Sequence, residues 1–282
     1  GGGCGWPPRP DPRRGVGRAS VIPVPVAPGA HGPHGPVGGP TPVGKAEFLK
    51  NLVASLCLAN SPDDLSIVIV DFKGGVDHAQ SALLAHVVAI TTNEDAETFS
   101  RTIELLMAEQ VRRQNEFRAV GAANFDSYNA VRAARSDLTA IPRLLVVVDE
   151  FAELLSTDLG KQHMKSLESI TRIGGGLGLH LLLVTQTFEN QLPAQVSANT
   201  GLRVCFRVQS ASDSKLILES PAAANISAQL PGRAFGRFQR GDLIEFQSAR
   251  VAARRRDLGE VAQPVPVVKV AGGALVRATG IE

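Results

Sequence analysis

Between Pro142 and Phe151 the chain reads Arg143-Leu144-Leu145-Val146-Val147-Val148-Asp149-Glu150, five consecutive apolar residues closed by two carboxylates. No other stretch constrains the fold as tightly. A surface helix keeps a polar stripe and a half-exposed strand alternates, whereas a strand apolar on both sides must be covered on both faces. The run therefore predicts a central strand of a mainly parallel sheet in an α/β fold. Open sheets of this kind place their ligand crevice beyond the carboxyl ends of the strands, where Asp149 and Glu150 stand. An acid pair there suits a magnesium–nucleotide site, with Asp149 toward the metal's water shell and Glu150 orienting an attacking water. The competing reading is a strand that ends in two solvated acids, and the run alone does not choose between them.

A second motif bears on that choice. Gly39-Pro40-Thr41-Pro42-Val43-Gly44-Lys45-Ala46 has the G-x-x-x-x-G-K spacing, in which successive backbone N–H groups cradle phosphate and a lysine neutralises its charge. A helix should follow with its amino end toward the anion, and the residues comply. Phe48, Leu49, Leu52, Val53, Leu56 and Cys57 share one helical face between Ala46 and Ala59. The candidate binding set is Gly39, Thr41, Val43, Gly44, Lys45 and Ala46. Two positions depart from the chemistry. Ala46 lacks the hydroxyl that ligates magnesium, and Pro42 has no N–H to donate. The preceding segment Pro36-Val37-Gly38 also reads as a poor strand.

Further strands are expected at Leu65–Val70, buried and ending in Asp71, at Val87–Thr91, which is short, at His180–Gln186, buried, and at Gly201–Val208. An edge hairpin is expected from 234–238 and 243–247 across Gln239-Arg240-Gly241-Asp242. Gln186, at a strand's end, suits a γ-phosphate or water sensor, although a terminal glutamine is common without that role. Lys73-Gly74-Gly75 reads either as a phosphate approach or as a plain turn. His180 reads as a packed histidine at a strand's start. A long helix over 94–120 carries Phe99, Ile103, Leu106 and Phe117 inward and Glu109, Arg112, Arg113 and Glu116 on a solvated face. Helix is expected again at 151–155 and 164–173, broken at Gly174-Gly175-Gly176.

Composition sets the remaining bounds. At 282 residues the chain can bury a sizeable core, and a formal net charge of +2 is too mild to argue for nucleic acid. Cys57 and Cys205 lie in apolar runs, and with Cys4 they form no metal-ligand pairing. No stretch approaches the roughly 20 apolar residues that span a bilayer. The chain starts at Gly1, so a membrane anchor can lie outside it. Residues 1–38 are a Gly/Pro-rich tail whose Arg13, Arg14 and Arg18 either touch an anionic surface or simply solvate it. Residues 39–250 form the expected domain. Residues 251–282 are a second tail, opened by Arg254-Arg255-Arg256.

Taken in order, "GPHG" (32–35), "VIVDFKGG" (68–75), "RLLVVVDEFAELL" (143–155), "LGLHLLLVTQ" (177–186), "NTGLRVCFRVQSASDSKLIL" (199–218) and "PGRAFGRF" (231–238) resemble the FtsK/SpoIIIE group of motor ATPases, and within it the EccC type of actinobacterial type VII secretion systems. The resemblance implies a RecA-like P-loop NTPase, ATP with Mg2+, and neighbouring FtsK-type domains or subunits. It also implies secreted helical peptides as substrate, and a cytoplasmic place at the inner face of the membrane within a larger anchored protein. By position it makes Asp149 the metal acid and Glu150 and Gln186 catalytic. Gly175 and Thr187 stand where related chains often carry Arg. With Pro42 and Ala46, these departures suggest a domain that keeps its fold while its turnover weakens. The alternatives are a non-catalytic docking module for secreted substrate or neighbouring ATPase domains, and a fragment of a DNA translocase.

Overall fold

The computed structural model describes residues 34–40, 43–72, 78–92, 96–186, 196–197, 199–238, 241–249, 268–271 and 274–277. Thr41, Pro42, Lys73–Gly75, Thr187, Arg254–Arg256 and the tail through residue 33 lie outside them.

Strands β1 (Gly35–Gly38), β2 (Leu65–Asp71), β3 (Val87–Thr92), β4 (Arg143–Asp149), β5 (Leu179–Thr185), β6 (Leu202–Phe206), β7 (Arg233–Phe238) and β8 (Leu243–Gln247) form one eight-stranded sheet in the order β3-β2-β4-β5-β1-β6-β7-β8. Pairings from β3 through β6 are parallel, and β7 and β8 add an antiparallel edge hairpin. A separate antiparallel pair, β9 (Val268–Ala271) and β10 (Ala274–Arg277), lies in a stretch with no element assigned from its residues.

The pleat explains the all-apolar runs. Leu144, Val146 and Val148 of β4 point into a core shared with helix α2 (Ala96–Ala119), helix α3 (Phe125–Ala133), helix α4 (Phe151–Ser156) and helix α5 (Asp158–Ile173). Leu145 and Val147 point the other way, against Phe48, Leu49, Leu52 and Val53 of helix α1 (Lys45–Ala59). Each such side chain contributes about 1.5–3 kcal/mol by leaving water, so a register slip of one residue could not be tolerated. Cys205 joins a third cluster under helix α6 (Ala211–Leu218), and burial pushes its thiol up to about 12.

Three expectations need correction. Pro36-Val37-Gly38 belongs to a strand after all, because β1 is short and enclosed between β5 and β6, which supply its pairing and burial. Helix α3 was not foreseen, although Asn124 and Ser127 close a reciprocal capping box at its start. Arg113 does not lie on a solvated face. It is 1% exposed, and its guanidinium donates to Glu109 at 2.7 Å, to the Leu177 carbonyl at 2.9 Å and to the Pro142 carbonyl at 2.7 Å. It thus fastens α2 to the amino ends of β4 and β5.

Two histidines are buried at that same end. The Leu181 N–H donates to His34 Nδ1 at 3.0 Å, while His34 Nε2 and both His180 ring nitrogens find no partner among the described residues. Burial holds His34 down to about 4. Burial, then the charges of His34, Arg143 and Arg113, hold His180 down to about 3.

Candidate functional site

The carboxyl ends of β2, β4, β5 and β1 lie side by side because these strands are parallel and adjacent. Asp71 and Asp149 are direct register partners at the tips of β2 and β4, and both are buried. Gly39 follows β1, and its N–H donates to the Thr185 carbonyl at the end of β5. The chain then turns into α1 through Gly44, whose φ of 103° is open to glycine at little cost. A β-carbon there would also stand 2.8 Å from the backbone of Gly232, too close for any side chain. The Gly232 N–H in turn donates to the Val43 carbonyl at 2.8 Å, so the start of the edge hairpin backs the glycine turn.

This turn places Lys45 in the first turn of α1, buried, with Nζ donating to Glu150 Oε1 at 3.0 Å. Gln186 Nε2 donates to the same oxygen. Glu150 takes up this position with φ 56° and ψ 48°, a left-handed conformation unusual for a residue with a β-carbon. Strain of roughly 1–3 kcal/mol of this kind is characteristic of functional turns. The twist also aims the Glu150 N–H at Asp149 Oδ1, 3.0 Å away.

Asp149 is held from a second direction that the sequence reading missed. His78 Nε2 lies 3.3 Å from Asp149 Oδ2, and both residues are buried. Burial pushes the Asp149 carboxyl up. The His78 hydrogen bond, the Lys45 charge and the Glu150 N–H outweigh it and hold the group below the ordinary range. The ionised carboxylate only accepts, so His78 carries its proton on Nε2 and donates. In the residue order His78 follows Gly74-Gly75 by three positions, which gives no sign of this contact.

The nominated residues Lys45 and Gln186 therefore meet on Glu150, with Asp149 adjoining it. Val43 and Gly39 shape the turn, and Ala46 lies half-buried beside Lys45. Thr41 is outside the described residues. An ammonium at a helix start beside a carboxylate pair, on a glycine turn, fits a polyphosphate and its cation. What Ala46 withholds is the hydroxyl ligand.

A glycine turn entering a helix between parallel strands, with acids on the neighbouring strand tips, defines the P-loop NTPase class. The FtsK/SpoIIIE family model matches residues 12–190, and the chain belongs to that family. Among curated relatives, the ESX-4 secretion system protein EccC4 of Mycobacterium tuberculosis is 35% identical over 224 residues, covering 77% of this chain and 18% of the relative. Among solved structures, the cytoplasmic domain of the Thermomonospora curvata type VII secretion ATPase EccC superimposes with a TM-score of 0.73 at 36% identity, over 79% of this chain and 26% of that one. EccC (ATPases 2 and 3) of the same organism, in complex with a signal sequence peptide, gives 0.67 at 26% identity, over 79% and 38%. The chain thus spans less than a fifth of the length of this curated relative.

Proposed function

We propose that this chain is a nucleotide-binding motor domain of a type VII secretion ATPase, built on residues 39–250, that takes ATP and Mg2+ and hydrolyses ATP weakly or not at all. The observation carrying the reading is the Lys45–Glu150–Gln186 contact beside Asp149 at the aligned strand tips. Bound Mg2+–ATP would supply the phosphoryl group and its charge compensation. Lys45 would bind phosphate oxygens, leaving Glu150. Glu150, so released, would accept the proton of a water that Gln186 helps orient. Asp149 would hold the cation's water shell. Ala46 gives no hydroxyl to that cation, and electrostatic stabilisation supplies most of the rate in such chemistry.

Neighbouring ATPase domains are the expected partners, since the relatives it matches are several times longer. Secreted helical peptides are the expected substrate, supported by the related EccC solved with a signal sequence peptide. Among the described residues no helix is long and apolar enough to cross a membrane, so a place at the cytoplasmic face would depend on segments outside this chain. Ala46 also favours a second reading, a docking module in which nucleotide is structural or absent.

One experiment separates them. ATP affinity and turnover are measured for the natural chain, for Ala46→Ser with Pro42→Gly, and for Glu150→Gln. The motor reading expects measurable binding, little turnover, a gain with the double substitution and none with Glu150→Gln. Brisk turnover that survives Glu150→Gln would end it. Peptide binding with no nucleotide affinity would favour the docking module.

A further inference from the structure

We propose that His78 is a positioning residue for Asp149, and that it takes over the orientation a phosphate-loop hydroxyl at position 46 would otherwise share. The inference rests on the nucleotide reading above and names a residue that reading does not need. A carboxylate that serves a cation must be held with its oxygens aimed, and such supporting hydrogen bonds are part of the site's chemistry. In the P-loop class the metal is held between the loop's Ser or Thr and the acid at the strand tip. Here the residue after Lys45 is Ala46, which has only a methyl in place of that hydroxyl.

Both Asp149 oxygens are nevertheless engaged, Oδ1 by the Glu150 N–H and Oδ2 by His78 Nε2 at 3.3 Å. The imidazole is not a passing surface contact. His78 is 3% exposed, and the Ser81 N–H donates to its carbonyl at 2.9 Å, fixing it at the entrance of the 3-10 turn Ala79–Leu83 between β2 and β3. Support for the metal acid thus comes from the β2–β3 connection, on the flank of β4 opposite the phosphate loop. The tautomer follows from the partner, because an ionised carboxylate leaves only Nε2–H···Oδ2 as a bond. Removing the ring would leave a buried carboxylate oxygen without its donor, free to turn away from the cation.

The test titrates Mg2+ against binding of a fluorescent non-hydrolysable ATP analogue to the natural chain, His78→Ala, His78→Gln, His78→Met, Ala46→Ser and His78→Ala with Ala46→Ser. His78→Ala and His78→Met are expected to weaken the apparent Mg2+ affinity by about 10–100-fold. His78→Gln, which keeps a donor of similar reach, should recover most of it. Ala46→Ser should tighten the apparent Mg2+ affinity on its own and should lessen the loss in His78→Ala, a non-additive pair. Should His78→Ala fail to fold, the contrast between Gln and Met reads the same quantity. Identical Mg2+ curves for the natural chain and His78→Met, or additive effects at positions 46 and 78, would overturn the proposal. Binding by the natural chain with no effect of His78 refutes this inference alone. No binding by the natural chain, with or without Mg2+, refutes the nucleotide reading and this one with it.

Discussion

The two ends of the sheet bury comparable polar groups and use them oppositely. At the amino ends, Arg113 spends its donors on the carbonyls of Leu177, Gly178 and Pro142 and on Glu109. Those main-chain acceptors have nowhere to go, and nothing entering from solvent could replace them. At the carboxyl ends, Lys45 and Gln186 both donate to the Glu150 side chain, and His78 bonds to Asp149. Each joins two side chains, and these are the bonds that the proposed nucleotide and cation would exchange. Burial and charge do not by themselves mark a site. Exchangeable partners do, together with strain such as the left-handed Glu150.

Breaking the comparison at its structural end should give the largest effect. Arg113→Met keeps the volume and takes the donor from the Leu177 and Pro142 carbonyls, while Gly178 keeps the Leu144 N–H and Glu109 keeps Arg112. We expect about 1–3 kcal/mol less stability for each of those two buried carbonyls in denaturant unfolding, with nucleotide affinity per folded molecule unchanged. A loss under 1 kcal/mol would show that the fastening of α2 is dispensable.

At the exchangeable end the pattern should invert. Lys45→Met is expected to weaken ATP binding by about 1.5–3 kcal/mol, the range of a hydrogen bond to a charged group, as read by titration calorimetry. An unchanged affinity would remove Lys45 from the phosphate contact.

The buried histidines sharpen the contrast most gently. An ordinary histidine titrates near 6.5, and His34 and His180 are held down to about 4 and about 3. Below pH 6.5 the unfolded chain therefore binds protons that the folded chain refuses. Their stabilisation is complete above that value and is lost as pH falls toward the folded values. Between pH 7 and pH 5.5 each should cost about 1.4 kcal/mol of unfolding free energy. His180→Leu should flatten the curve by that amount. A profile no flatter than that of the natural chain would show that His180 takes up its proton without unfolding. Asp149, depressed below its ordinary 3.8, loses its contribution only at still lower pH and leaves this window clear.

Much of the site was legible because strand-tip chemistry is local. The acids close an apolar run, Lys45 sits at a fixed spacing from Gly39, and Gln186 ends another run. Arg113 was misplaced even though its position was readable. It falls in the 4-3-4-3-4 spacing that runs through Phe99, Ile103, Leu106, Gln110, Arg113 and Phe117, the stripe that α2 buries. Charge type outweighed periodicity in that reading. His78 could not be found in this way, since one histidine after a glycine turn looks the same whether it faces water or a carboxylate.

Taken alone, the residue order determined that there would be apolar strands covered on both faces, a helix after the glycine turn, and acids at a strand's carboxyl end. Hydrophobic periodicity and turn chemistry act over a few residues, so they can be read along the chain. Tertiary structure alone decided that the four-residue β1 would lie between β5 and β6, that Arg113 would meet carbonyls, and that His78 would reach Asp149, 71 positions away in sequence. Those outcomes depend on which strands become neighbours and on which buried polar groups must find partners, and the whole sheet settles them together.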